Sequence, residues 1–225
     1  MERAKTPAVT LRRVDPQTFR RYGDLVEQWI YVHPNPVVRW IFWRRLHELL
    51  GLGTRAGRVA LDFGCGEGAL LPSLSAHWPV VVAVDEDIRA ATRLVRDHDL
   101  SNVRLLAADG NRLPLASASV DVVVAADVLE HFKVLATPLA EIARVLRPNG
   151  VILVSAPMEH AFYRLGRRVF GFVRPEDHYH GASGVVAALR ERFDVVTERR
   201  SPFNVPSVLA AFLLVGARKA GRLGV

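Results

Sequence analysis

Between Leu61 and Leu70 the chain reads LDFGCGEGAL, with Gly64, Gly66 and Gly68 at alternate positions behind an apolar run that ends at Asp62–Phe63. Glycine there lets the backbone turn sharply and come close to a ligand, because no Cβ stands between them. A helix starting just beyond would add unpaired N–H groups and the positive end of its dipole, which together suit an anion. Further on, VVVAVDED places Asp85, Glu86 and Asp87 at the end of a second apolar run. A carboxylate about 20 residues past such a loop can accept hydrogen bonds from both hydroxyls of a ribose. Asp85, nearest the run, is the first choice and Glu86 the second, while Asp87 reads as an acid at a helix start.

Two ligands satisfy this chemistry. A dinucleotide would rest its pyrophosphate on the loop, and Gly64, Gly66 and Ala69 formally meet G-x-G-x-x-G/A. S-adenosylmethionine would instead lay its methionine part there, with its carboxylate near the amides. The loop and Asp85 serve either. A purely structural turn is the weaker reading, since three spaced glycines are conformationally costly. Cys65 reads as a small residue in a tight loop, not as a nucleophile.

The elements that must hold these residues follow from the apolar pattern. Arg58–Phe63, Val80–Val84, Val103–Ala107, Val120–Ala125 and Val151–Ser155 are short, β-branched and mostly uninterrupted, as in strands covered on both faces. Ala69–Ala76, Ile88–Asp97 and Thr137–Leu146 between them read as helices, an alternation that predicts a mostly parallel sheet in an α/β/α sandwich. Phe193–Arg199 and Val208–Ala217 are expected to pair antiparallel, since the turn-prone Ser201–Pro206 needs no crossover helix. Pro148–Asn149–Gly150 reads as a turn. Upstream, residues 1–18 read as a loose arm, and Pro34 and Pro36 divide the aromatic, basic stretch from Phe19 to Leu50 into two helices. The expected organisation is an arm and helical lid over 1–50 and one ligand-binding domain over 51–225.

Half of the 225 residues are apolar and 24% are charged, enough to build a core without cross-links. The single cysteine excludes an intramolecular disulfide and points to a reducing compartment. MERAKTPAVTLRR lacks the apolar stretch of a signal peptide, and no apolar run is long enough to span a bilayer, so the expected location is the cytoplasm. Net charge is +7 and the pI about 10.3, with only three lysines, Lys5, Lys133 and Lys219. Such a balance suits nucleic acid, an anionic membrane surface or an acidic substrate, but also an arginine-rich solvated surface.

Taken jointly, four segments resemble the class I S-adenosylmethionine-dependent methyltransferases, in particular their small-molecule, type 11-like branch. LDFGCGEG is similar to that family's acidic-x-Gly-x-Gly-x-Gly loop, including the acid Asp62, which the nicotinamide fingerprint does not require. VVAVDED supplies the ribose acid, AADGNRLPLASASVDVVVAADVLEHF looks like the third and fourth strands with their loops, and LAEIARVLRPNGVILVSAP like the helix, turn and fifth strand that end the core. The resemblance covers about 55–160 strongly and implies a Rossmann-like fold with S-adenosyl-L-methionine as cofactor. It implies cofactor contacts from Asp62, Gly64, Cys65, Gly66, Gly68, Asp85 and Glu86. Asp109, with Gly110 and Asn111 beside it, would bind the adenine amino group, although Asp before Gly is also a turn former. Asp127 would face cofactor and acceptor from the end of the fourth strand, with His131 after it; both also fit a helix start and its first-turn partner.

The resemblance further implies that PEDHYHGAS lies over the acceptor, so His178 is the first candidate for a proton acceptor, with His131, His160 and His180 as alternatives. The acceptor would be a small molecule, hydrophobic or anionic. Val37–Leu50 sets Val38, Phe42 and Leu49 on one helical line with Trp40 opposite; this segment and Ala161–Arg174 read as a packed lid or as a surface for lipid-like or anionic acceptors, including peripheral membrane contact. Arg164, Arg167 and Arg168 could grip phosphate or carboxylate. Nucleic acid ranks lower: the chain carries no appended RNA-binding module, zinc spacing or lysine-rich tail, and ADVLEH stands where amino-methylating nucleic-acid enzymes carry Asn-Pro-Pro-aromatic. A nucleic-acid methyltransferase and an NAD-dependent oxidoreductase are the alternative readings. Nothing in the sequence sets an oligomeric state.

Overall fold

Short β-branched runs bounded by turn residues bury best when paired at both edges and covered on both faces. In the computed structural model, which describes residues 9–26, 29–53, 57–158 and 178–219, each such run is a strand. These are β1 (Val59–Phe63), β2 (Val80–Asp85), β3 (Val103–Ala107), β4 (Val120–Ala126), β5 (Leu146–Pro157), β6 (Phe193–Ser201) and β7 (Phe212–Lys219). The helices are α1 (Pro16–Tyr22), α2 (Pro36–Leu50), α3 (Leu71–Ser75), α4 (Arg89–Asp97), α5 (Ala136–Val145) and α6 (Ala182–Arg190).

One sheet runs in the order β3-β2-β1-β4-β5-β7-β6. Its first five strands are parallel, and β7 lies antiparallel to both β5 and β6. Because side chains alternate along a strand, the core divides between the two faces. Ala60, Val81, Ala83, Val122 and Val124 pack with Leu46, Leu49, Leu74 and Leu94 of the first four helices' side. Leu61, Val82, Val84, Val123 and Ala125 pack with Leu139 and Ile142 of α5 and Val185 and Leu189 of α6. The layers are therefore helix, sheet, helix, as in a Rossmann-like sandwich. The strand order reverses between β1 and β4, and in open α/β sheets a ligand crevice opens beyond the carboxyl ends at such a switch point.

Several expected boundaries move, each for a local reason. The helix expected over Ala69–Ala76 is only Leu71–Ser75: Gly68 has φ +84° and its carbonyl accepts from the Leu71 amide, so the loop's last turn occupies the residues before it. The last strand begins at Phe212 and not at Val208, because Ser207–Leu209 close a 3-10 turn. The Pro148–Asn149–Gly150 turn appears as a bulge within β5: Val120 pairs with Leu146 but Val122 with Val151, and Asn149 has φ +62°.

The loose arm is corrected for residues 9–18. Val9, Val14 and Thr18 are buried, the Arg12 amide donates to Ser73 Oγ at 2.8 Å, and the Thr10 amide to His77 Nε2 at 3.0 Å. Asp15 caps α1 by accepting from the Gln17 amide at 2.8 Å, and Asn35 caps α2 by accepting from Val37 at 2.9 Å. Pro36 thus opens α2, where its missing N–H costs no hydrogen bond. No helix among the described residues is long and apolar enough to cross a membrane.

Candidate active site at the strand ends

The glycine loop leaves β1 with Gly64, Gly66 and Gly68 at φ +74°, +49° and +84°, a backbone region costly for residues with a Cβ. At Gly64 the packing is closer still, since a Cβ would stand 2.3 Å from Val128 Cγ2. The loop amides are not the open anion cradle the sequence suggests. Those of Gly64 and Cys65 donate to the Val84 carbonyl at 2.8 and 3.1 Å, that of Gly66 to Asp85 Oδ2 at 2.8 Å, and that of Gly68 to the Cys65 carbonyl. The helix behind them is a little over one turn, so its dipole adds little.

Carboxylates supply the polarity instead. Asp62 is fully buried, its Oδ2 has no hydrogen-bond partner among the described residues, and burial, helped by the nearby Asp85 charge, pushes its pKa up to about 7. Asp85 is half-buried and held by two amides, Gly66 on Oδ2 and Asp87 on Oδ1 at 3.1 Å; Glu86 beside it is exposed. Burial likewise pushes the Cys65 thiol well up, which keeps it a neutral lining group.

Beyond β3, Asp109 is exposed and its Oδ1 accepts from the Asn111 amide and side chain at 2.8 and 2.9 Å, so the turn expected of this residue is made. Gly110 is buried where a Cβ would come within 2.6 Å of Phe63 Cζ and 2.7 Å of Phe132 Cζ. Those two rings stack at 5.9 Å and 26°. The sequence reading missed both phenylalanines, whose signal was an aromatic at the end of β1 and another closing LEHF.

Asp127, at φ +53°, caps no helix. Its Oδ1 accepts from the Ser155 hydroxyl at 2.6 Å, and Oδ2 forms an ion pair with Arg45 of α2. Arg45 is 2% exposed, donates from Nη2 to the Tyr31 hydroxyl at 3.2 Å and lies over the rings of Phe212 and Phe42 at 4.8 and 5.2 Å. Burial raises the Tyr31 pKa, so the phenol stays protonated. Arg45, Tyr31 and Ser155 were not foreseen. Arg45 nevertheless stands on the helical line of Val38, Phe42 and Leu49, and a charge on an apolar line is the signal that could have found it.

His131 and His178, far apart in the chain, meet edge to face with ring centroids 4.8 Å apart. His131 ends a 3-10 turn, Leu129–His131, just past β4. The loop bearing His178 docks onto that turn: the Tyr179 amide donates to the Glu130 carbonyl at 2.9 Å, His180 Nε2 lies 3.2 Å from the Lys133 carbonyl, and Lys133 Nζ lies 5.5 Å from the Tyr179 ring centre. Residues 127–132 therefore touch four parts at once: the glycine loop through Val128, the Asp109 loop through Phe132, α2 through Asp127 and the His178 loop through His131. His160, Arg164, Arg167, Arg168 and the segment 161–174 lie outside the described residues. A surface groove of about 470 Å³ between Arg13–Pro16 and Pro36–Trp43 shares no lining residue with this site.

Residues 61–154 match the family model described as "Methyltransferase domain". A probable S-adenosylmethionine-dependent methyltransferase of Mycolicibacterium smegmatis is 38% identical over 126 residues, which are 54% of this chain and 48% of that protein. A malonyl-[acyl-carrier protein] O-methyltransferase of Xylella fastidiosa is 35% identical over 115 residues, 50% of this chain and 39% of that protein. The chain thus spans less than half the length of these two relatives. The N-methyltransferase NodS of Bradyrhizobium japonicum, solved with S-adenosyl-l-homocysteine, superposes with a TM-score of 0.67 over 92% of this chain and all of that one, at 23% identity, a likeness of fold. Residues 61–154 are thus similar in sequence to the methyltransferase domain, and the fold around them is of the same kind.

Proposed function

We propose that the protein transfers a methyl group from S-adenosyl-L-methionine to a small acceptor of hydrophobic or anionic character. The observation that carries this reading is the convergence on residues 127–132, where the glycine loop, the Asp109 loop, the Arg45–Asp127 ion pair and the histidine pair meet one short segment beyond the strand ends. The residues fit the cofactor. Asp62 keeps a buried oxygen without a partner among the described residues, ready for a cationic end, and Asp85 offers a half-buried carboxylate for a ribose. Gly64, Cys65, Gly66 and Gly68 form the floor, Glu86 flanks it, and Asp109, Gly110 and Asn111 with the Phe63–Phe132 stack stand where a base would lie. When bound, the sulfonium supplies an electrophilic methyl group, which leaves the protein chiefly to align the acceptor and exclude water.

On the acceptor side, His178 is the proton acceptor, with His131 edge-on to it, and Asp127 is fixed by Arg45 and Ser155. An acceptor with a carboxylate or acyl portion is supported by the relative named for malonyl-[acyl-carrier protein].

The test is calorimetry with S-adenosylhomocysteine and with NAD, followed by labelled-methyl transfer into extract fractions and mass identification of the product. Saturable binding of NAD alone overturns the reading. Replacing His178 by Asn should lower turnover while sparing affinity for S-adenosylhomocysteine; full activity would demote it to a loop residue.

A further inference from the structure

Glu130, His131 and His178 bring one carboxylate oxygen and two imidazole nitrogens within 4.8 Å of one another, the one gathering of His, Cys, Asp or Glu donors among the described residues that is close enough to share an ion. From this juxtaposition we infer that the three residues form a binding site for a divalent transition cation, such as Zn²⁺, Mn²⁺ or Co²⁺, at the acceptor side of the crevice. Two neutral imidazoles and one carboxylate are a mixed nitrogen and oxygen set, which favours these ions over Mg²⁺ or Ca²⁺. An ion with bonds of about 2.1 Å holds its donors no more than about 4.2 Å apart, so small rotations of the two rings close the difference. Glu130 is fully buried and both histidines are half-buried, so the carboxylate donor lies on a protein side that excludes competing water.

The backbone around the site is already fixed. Glu130 and His131 share a 3-10 turn, and the Tyr179 amide is bound to the Glu130 carbonyl beside His178. Three protein ligands leave at least one coordination position, where an acceptor oxygen would bind and give up its proton to solvent water more readily, as metal-bound water does. The bound ion then lowers the pKa of the acceptor, and His178 serves as a ligand while solvent water takes the proton. What the ion does rests on the methyl-transfer reading; whether it binds does not.

The experiment titrates the metal-stripped full chain with Co²⁺, followed by visible absorption, and with Zn²⁺ by calorimetry, alongside S-adenosylhomocysteine binding in the same preparation. One Co²⁺ per chain is expected, with affinity weakened at least about tenfold in His178→Ala and Glu130→Gln and unchanged in His98→Ala, an exposed histidine elsewhere. Circular dichroism checks that the variants fold; if Glu130→Gln does not, the half-buried His178→Ala carries the test. No saturable uptake of either ion, or uptake that survives His178→Ala, overturns the site. Absent metal uptake with intact S-adenosylhomocysteine binding removes only the site, whereas metal uptake without S-adenosylhomocysteine binding removes only the cofactor reading.

Discussion

Asp62 is the residue whose chemistry depends most on where the fold puts it. An unfolded chain ionises an aspartate near pH 3.9, whereas here burial keeps the proton on until about pH 7. Between those values the folded state binds more protons than the unfolded one, so this carboxyl makes stability fall as pH rises. Below about pH 4 both states are protonated and the effect vanishes; above about pH 7 it is complete. Asp62→Asn should therefore stabilise the ligand-free protein by up to about 4 kcal/mol at pH 8 and by little at pH 4, read by urea unfolding at the two pH values. Equal gains at both would show that Asp62 is ionised throughout. Asp85 is held differently, with two backbone amides donating to its carboxylate. Asp85→Ala should weaken S-adenosylhomocysteine binding by about 1–3 kcal/mol in calorimetry, the usual effect of losing hydrogen bonds to a charged group. An unchanged dissociation constant would take Asp85 out of the site. The types and spacing of both acids were legible from the chain alone. Their difference in burial was not, because it depends on what packs over each strand end.

At the scale of elements, α2 is joined to the sheet by more than apolar contact. Arg45 crosses from its buried line to Asp127 beyond β4, with Tyr31, Phe42 and Phe212 around the guanidinium. Removing one partner strands the other's charge, so Arg45→Ala should cost about 3–5 kcal/mol. Arg45→Met keeps the volume but still leaves Asp127 without its cation, and adding Asp127→Asn should recover much of the loss. Strict additivity in that double-mutant cycle would show that the two side chains are not coupled. The sequence marked α2 and its apolar line but not the ion pair, since nothing local says which distant carboxylate a buried arginine will meet. The short α3 is a similar case: the glycine spacing was plain, yet how many residues the turn would occupy depended on the positive φ of Gly68.

For the whole molecule, the site is assembled from the ends of four neighbouring strands, so a ligand bound there adds contacts to several of them at once. S-adenosylhomocysteine at one hundred times its dissociation constant should add about 2.7 kcal/mol and raise the melting temperature by roughly 5–10 °C. A melting temperature that ignores saturating ligand would deny binding to the folded state.

The sequence by itself settled what repeats locally: strands from β-branched runs and a glycine loop followed by an acid, and through them the sheet class. Those features depend on neighbours a few residues away. Tertiary structure decided what joins distant segments: that His131 and His178 meet, that Arg45 answers Asp127, that the loop amides are consumed by Val84 and Asp85, and that residues 9–18 lie against the domain. Such pairings follow from how the helices pack on a twisted sheet, and a linear pattern of residue types carries no record of that geometry.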